Sequence, residues 1–357
     1  MTARPFVRPE YRRRVVLWLG GCAALVVAMI VLGGVTRLTE SGLSIVEWRP
    51  ITGVVPPLGD AAWAEAFAAY QDYPEYRIVN TGMTLAEFKT IYWFEFTHRL
   101  LGRAIGLTFL VPLVAFAARR AIGRPLAGRL AVIFVAGGVQ GALGWYMVAS
   151  GLVNRPDVSQ YRLAAHLLVA VAIFGAILWT LLDVARGRRT GAGAPTGAVR
   201  ALWAYLALVA VTIVAGAFVA GTDAGFAYNT FPLMDGRLVP HDLWLLEPWW
   251  TNHFENVATV QFQHRVLAIL AVVVAALMWL DVWKGRLVAR VQHGIGAIFA
   301  AAVAQAGLGI ATLVLEVPIP LAAAHQAGAL VLVTVVVWTL HTARSGTPVA
   351  APGPELA

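Results

Sequence analysis

The chain has 357 residues, of which 59% are hydrophobic and only 13% charged. Water-soluble domains carry about 25% charged residues, so this composition excludes a soluble globular enzyme and points to the bilayer, with length enough for eight spans of about 20 residues. The net charge of +8 raises nucleic acid as a partner, and the placement of the basic residues removes it.

Apolar runs bounded by charge or by Pro and Gly clusters predict membrane helices at 15–35, 91–117, 130–150, 161–182, 201–221, 257–282, 291–315 and 321–341. With the N-terminus inside, 17 of the 27 basic residues fall on inner segments, among them Arg12, Arg13, Arg14, Arg119, Arg120, Arg188, Arg189, Lys284 and Arg286. This bias predicts that both termini are cytoplasmic and that the chain is a multi-pass membrane protein, with lipid and not nucleic acid around it. The first run of about 21 apolar residues exceeds the 7–15 of a signal-peptide core, so the first span is expected to be retained. Its Cys22 is the only cysteine, which leaves no intramolecular disulfide and no thiolate zinc site. The outer connection 36–90 carries Trp48, Trp63, Phe67, Tyr70, Tyr73 and Tyr76, and the outer connection 222–256 carries Trp244, Trp249 and Trp250. These aromatics suit interfacial segments, most of them as simple anchors. The inner connector 184–199 reads as a flexible link, and the tail after Arg344 as disordered.

The connector separates two halves that resemble each other. Glu95-Phe96-Thr97-His98-Arg99 matches Gln261-Phe262-Gln263-His264-Arg265 at an offset of 166. Gln140-Gly141-Ala142-Leu143-Gly144 matches Gln305-Ala306-Gly307-Leu308-Gly309 at 165, and Leu163-Ala164-Ala165-His166 matches Ala322-Ala323-Ala324-His325 at 159. Ordered matches at near-constant offset indicate an internal repeat, and four spans per unit make it a parallel repeat. The expected fold is an all-α integral membrane protein of eight transmembrane helices in two parallel-repeat four-helix bundles. Its halves are 1–190, with the large outer loop 36–90, and 191–345, followed by the tail 346–357.

His98, His166, His264 and His325 lie five to seven residues past the predicted outer starts of their spans, about 8–10 Å deep. Intramembrane ionisable side chains usually line a site, and four at matched depth and repeat-equivalent positions read as ligands. His241, His253, His293 and His341 read as interfacial. Zinc lacks a third ligand here, and a di-iron site lacks its carboxylates, because Gln261 replaces the second Glu. Heme needs only one or two axial imidazoles and an apolar slot, so the residues predict one heme per half, His98 with His166 and His264 with His325. Glycines 137, 138, 141, 144, 307 and 309 suit either a flat ring or close helix packing. Arg99 and Arg265 suit either propionates or snorkelling to the outer interface. Glu95 lies one turn from His98, so its carboxylate is expected to face the first slot as an acid or base, or else to orient a helix end. Gln261 has no such chemistry, which suggests that the first half reacts and the second supports.

The chain resembles the heme A synthase family, in its cysteine-poor branch. The resemblance runs from about 33 to 330 through Gly33-Gly34-Val35-Thr36-Arg37-Leu38-Thr39, Ser41-Gly42-Leu43-Ser44-Ile45-Val46-Glu47-Trp48, Glu95 to Arg99, Tyr161 to His166, Ala227-Tyr228-Asn229-Thr230-Phe231-Pro232-Leu233-Met234, Gln263-His264-Arg265 and His325 to Ala329. It implies oxidation of the C8 methyl of heme O to the formyl of heme A through a hydroxymethyl intermediate, with water as oxygen source, for aa-type terminal oxidases. It implies that His264 and His325 are axial ligands of a heme b cofactor, with Arg265 beside them. His98, His166 and Arg99 would face the substrate heme and its iron, and Glu95 would be catalytic. The heme sites are expected towards the outer, periplasmic side. Another branch of the family has cysteine pairs in its outer loops, and this chain has none, so no thiol step is available to it. An electron acceptor is required but unidentified, and docking of the farnesyltransferase that makes heme O, like homo-oligomerisation, is open. The rival readings are a two-heme b-type electron-transfer subunit, disfavoured by Glu95, and a heme transporter.

Overall fold

The computed structural model describes residues 6–49, 52–151, 158–187, 193–282 and 287–345. Arg188, Arg189, Lys284 and Arg286 of the charge argument, and the tail 346–357, lie outside them. In chain order the helices are α1 (Pro9–Leu38), α2 (Gly59–Gln71), α3 (Pro74–Ile78), α4 (Leu85–Ala118), α5 (Arg124–Gly151), α6 (Gln160–Arg186), α7 (Thr196–Gly221), α8 (Asn252–Glu255), α9 (Val257–Val282), α10 (Ala289–Val314) and α11 (Ile319–Ser345). Eight of them, α1, α4 to α7 and α9 to α11, are long and apolar enough to cross a membrane. The eight predicted spans are therefore present, several of them longer than the apolar runs alone suggest. α1 begins at Pro9, whose fixed φ and missing N–H suit the first helical turn, so Arg12, Arg13 and Arg14 are helical. α4 begins at Leu85 and not near 91, because Thr84 and Glu87 form a reciprocal capping box two turns outside the apolar run.

The helices of the two halves touch in the same pattern. α1 packs on α4 and α6, and α5 closes a ring by touching α4 and α6; α7, α9, α10 and α11 form the same ring in the same order. The rings meet where α6 packs on α7 and α11, and α1 on α11. One apolar core runs through this junction, with Leu19, Cys22, Ile177, Leu202, Tyr205, Ile298 and Leu340 almost wholly buried. Burial of such side chains between helices is the main packing contribution available where lipid competes for every apolar surface. Just past the ring-equivalent helices α1 and α7, Glu40 and Asp223 both take left-handed backbone, φ 48° and 52°. Asp223 is ion-paired with Arg37 at 2.9 Å, joining the two helix ends.

The ends that carry the long connections are outer in the charge-based orientation. There the aromatic residues divide into two kinds. Trp63 and Tyr70 of α2 are buried against Phe88, Tyr92 and Phe96 of α4, with Phe67 and Tyr76 packed alongside. They are the core of a small cap and not the simple anchors expected, because α2 lays its aromatic face on the outward extension of α4. Trp244, Trp249 and Trp250 are instead more than half exposed, as an interfacial anchor requires. At the inner end His341 is likewise not the interfacial residue expected. It is buried, its Nε2 lies 2.9 Å from Asp183 of α6, and Arg186 and Arg129 complete the cluster that ties the second ring to the first.

Candidate functional site

Each of the four histidines faces a glycine on a neighbouring helix. A Cβ on Gly33 of α1 would lie 3.0 Å from His98 Nε2, and one on Gly144 of α5 would lie 3.1 Å from His166 Cε1. In the second ring a Cβ on Gly216 of α7 would meet His264 Cε1 at 3.0 Å, and one on Gly309 of α10 would meet His325 Cε1 at 2.8 Å. The pattern repeats helix for helix, so the glycines serve the imidazoles and not helix packing in general. His166, His264 and His325 are the seventh or eighth residues of α6, α9 and α11, while His98 is the fourteenth of α4 only because α4 starts further out. Of the glycines singled out in the sequence, 144 and 309 touch histidines, whereas 137, 138, 141 and 307 face open space.

The two rings of His264 and His325 stand 6.5 Å apart between centres, with planes at 89°. Two imidazoles that share a metal at about 2 Å from each nitrogen have ring centres roughly 6 Å apart, so this spacing suits one iron between them. His264 Nδ1 lies 3.2 Å from the Thr212 carbonyl, which fixes the ring and leaves Nε2 for a metal. No group of three or more His, Cys, Asp or Glu able to hold a metal occurs among the described residues. Gln140 and Gln305, which the sequence showed only as repeat markers, prove to be part of both sites. Their Nε2 groups donate to the backbone carbonyls of His166 and His325 at 2.9 and 2.8 Å. Gln140 Oε1, Gln305 Oε1 and His166 Nδ1 are shielded from water without a hydrogen-bond partner.

The two arginines next to the histidines bind loops. Arg99 donates to the carbonyls of Ile45 and Glu47 at 2.9 and 3.0 Å, and its guanidinium lies 5.6 Å from the Trp48 ring centre. Arg265 donates to the carbonyls of Tyr228 and Thr230 at 2.6 and 2.8 Å, while its Nε is shielded without a partner. Glu95 is 3% exposed and does not stand free in the slot as its position on the helix suggested. Its Oε2 accepts from Ser44 Oγ and from the Ile45 N–H, both at 2.7 Å, and its Oε1 pairs with Arg99 at 2.6 Å. In the second ring Gln261 fills the same place with the opposite polarity, donating to the carbonyls of Ala224 and Tyr228 and accepting from Arg265. Both residues hold an outer loop over a histidine pair, but only Glu95 can carry charge or a proton.

A separate cavity of about 460 Å³ lies under the outer loop between Tyr228, Asp242, Glu255 and Asn256 and contains none of the four histidines. Tyr228 donates to Asp242 at 2.6 Å, and that bond pushes the phenol up to about 12. It acts as a neutral loop tie.

The glycine contacts lead to a direct expectation. If the second ring holds a heme, as the sequence leads us to expect, Gly309→Ala should displace His325 and release it, whereas Gly307→Ala, with open space beside it, should leave heme content unchanged. The heme-to-protein ratio of the purified variants measures both.

A family model described as cytochrome oxidase assembly protein matches residues 16–337. A heme A synthase of Nitrosospira multiformis is 49% identical over 337 residues, covering 93% of this chain and 94% of the relative. Those of Parvibaculum lavamentivorans and Rhodospirillum centenum are each 52% identical, covering 91% and 93% of this chain and 92% and 89% of their own lengths.

Proposed function

The chain belongs to the cytochrome oxidase assembly protein family and is an enzyme of heme A biosynthesis, and from that premise we propose how its two histidine pairs divide the work. His264 and His325 hold a resident heme b, and His98 and His166 hold the iron of the substrate, heme O. The substrate's C8 methyl is oxidised with water as oxygen source. Addition of one water gives the hydroxymethyl and releases two electrons and two protons; loss of two more of each gives the formyl of heme A. When bound, heme b supplies a redox centre that can pass those electrons to an acceptor outside the chain.

The protein's own residues supply position and proton chemistry. Glycines 33 and 144 let His98 and His166 lie against the helix backbones, so that ring orientation is set before the substrate arrives. Ser44, Ile45, Trp48 and Arg99 close the outer end of the first slot. Glu95, held by Ser44 and Arg99, is the acid–base group that takes up a proton as water adds and balances positive charge on the oxidised methyl. Arg265 clamps the equivalent loop of the second ring, and its unpartnered Nε is a donor still available to a propionate of heme b. Both sites sit towards the outer ends of the helices, the periplasmic side of an inner membrane in the charge-based orientation.

The observation that carries this reading is the repeat itself. Two histidine pairs are built alike, and a carboxylate stands beside only one of them. Co-expression with a heme O-producing farnesyltransferase, followed by chromatography of extracted hemes, should show heme A. Persistence of heme O alone would count against the assignment.

A further inference from the structure

α1 belongs to the first ring, yet two consecutive residues of it serve different rings. Successive positions on a helix point about 100° apart. Gly33 faces His98 of the first ring, and Gly34 faces Gln326, the residue after His325 of the second. A Cβ on Gly34 would lie 1.6 Å from Gln326 Oε1, so the amide rests on the bare backbone of α1, and any side chain there would push it away. Gln326 Nε2 donates to the Ile30 carbonyl of the same turn at 3.0 Å. Contacts and bonds thus run unbroken from one histidine pair to the other, through His325, Gln326, the turn 30–34 of α1, Gly33 and His98. The repeat shows that helix packing alone does not require this link. The offset of 183 that pairs Gly33 with Gly216 and Glu40 with Asp223 also pairs Gly34 with Ala217, and the offset of 159 that pairs His166 with His325 also pairs Leu167 with Gln326. The equivalent seam, where α6 packs on α7, therefore carries an apolar pair, with Ala217 buried and Leu167 packed on the core.

We propose that Gln326 couples the two histidine pairs, so that occupancy of the first slot is felt at His325 in the second. The inference rests on the assignment of heme O to the first ring and heme b to the second. His98 lies so close to Gly33 that any shift of its ring on taking an iron is a shift against α1, and close-packed elements pass such shifts on instead of absorbing them. α1 hands the shift to the Gln326 amide, which is one peptide bond from His325. The electron affinity of the resident heme then depends on whether a substrate is present, which confines electron withdrawal to the times when there is a methyl to oxidise. Linkage makes the effect reciprocal, so the redox state of the second ring alters the affinity of the first slot by the same factor. Gln326 is a positioning residue in this account, since it acts through His325.

The test is a redox titration of the purified protein with its resident heme, the first slot being empty or filled with heme O that carries gallium in place of iron. Gallium takes axial ligands without changing oxidation state over the range scanned, so every redox change comes from the second ring. In the wild type, filling the first slot should change the redox equilibrium of the resident heme at least about fivefold, a midpoint shift of about 40 mV for one electron. Gln326→Leu, which installs the residue type of position 167, should keep the resident heme and lose the shift. Gly34→Ala should act in the same way by displacing the amide. The double variant Gly34→Ala, Gln326→Leu copies the apolar pair of the other seam, and it should fold, hold heme and stay uncoupled even if a single variant misfolds. A wild type without the shift, or a double variant that keeps it in full, would overturn the proposal, because the through-space field of a second metalloporphyrin survives these substitutions and the contact does not. Gallium heme O that binds without a shift would count against the coupling alone. Gallium heme O that fails to bind, or that binds His98→Ala equally well, would count against the assignment of the first ring and overturn the coupling with it.

Discussion

Glu95→Gln is expected to lower heme A output by at least about a hundredfold while the second-ring heme stays bound. The substitution removes the carboxylate that Ser44, Ile45 and Arg99 hold at the outer end of the first slot, and it puts there the residue type found at the equivalent position of the second ring. Gln261 shows that an amide can fill this place, but there the loop offers carbonyls, whereas at Glu95 it offers the Ile45 N–H and the Ser44 hydroxyl. An amide oxygen can satisfy those two donors or face Arg99, not both, so the loop from Ser41 to Trp48 should loosen as well. Breaking a buried ion pair can itself cost about 3–5 kcal/mol, reduced here because the Arg99 side chain retains 12% exposure. The reduced-minus-oxidised spectrum separates the two effects. An intact second-ring spectrum with no heme A places the loss in the reaction, and heme A at the wild-type rate would remove Glu95 from it.

His264→Ala is expected to abolish the b-type spectrum of the purified protein together with heme A formation. The glycine-backed site formed by Gly216 and Gly309 then has one imidazole, and the Thr212 carbonyl loses its partner. His325→Ala should act in the same way, since the two rings face each other across 6.5 Å. His98→Ala and His166→Ala should retain that spectrum and lose product formation. A b-type spectrum that survives in His264→Ala would move the cofactor out of the second ring.

The spans and the four histidines were legible in the sequence because lipid burial and ligand chemistry both impose local patterns: unbroken apolar runs, and a His-Arg dipeptide that recurs. Other features needed the third dimension. Gly33 and Gly216 belong to α1 and α7, whose equivalence is hidden because the outer connections that follow them differ in length. Gln140 and Gln305 were visible as repeat markers, but their bonds go to backbone carbonyls on the next helix. The two arginines could be narrowed only to propionates or the interface, since loop carbonyls 32 to 54 residues away are invisible to spacing. Glu95 was found by its helix position, one turn from His98, and misjudged in direction, because a turn some 50 residues earlier comes back to claim its carboxylate. Trp63 and Tyr70 look like anchors in a polar loop until α2 folds onto α4.

The central claim is that one ring reacts and the other supports. Its most direct measurement is a turnover assay on purified protein supplied with heme O and an electron acceptor, with extracted hemes resolved by chromatography and the resident heme followed by its reduced-minus-oxidised spectrum. The account predicts conversion of heme O to the hydroxymethyl species and then to heme A, with the resident b-type heme unchanged in amount. Reversible oxidation and reduction of two bound hemes with heme O recovered intact would instead identify a two-heme electron-transfer protein and contradict it.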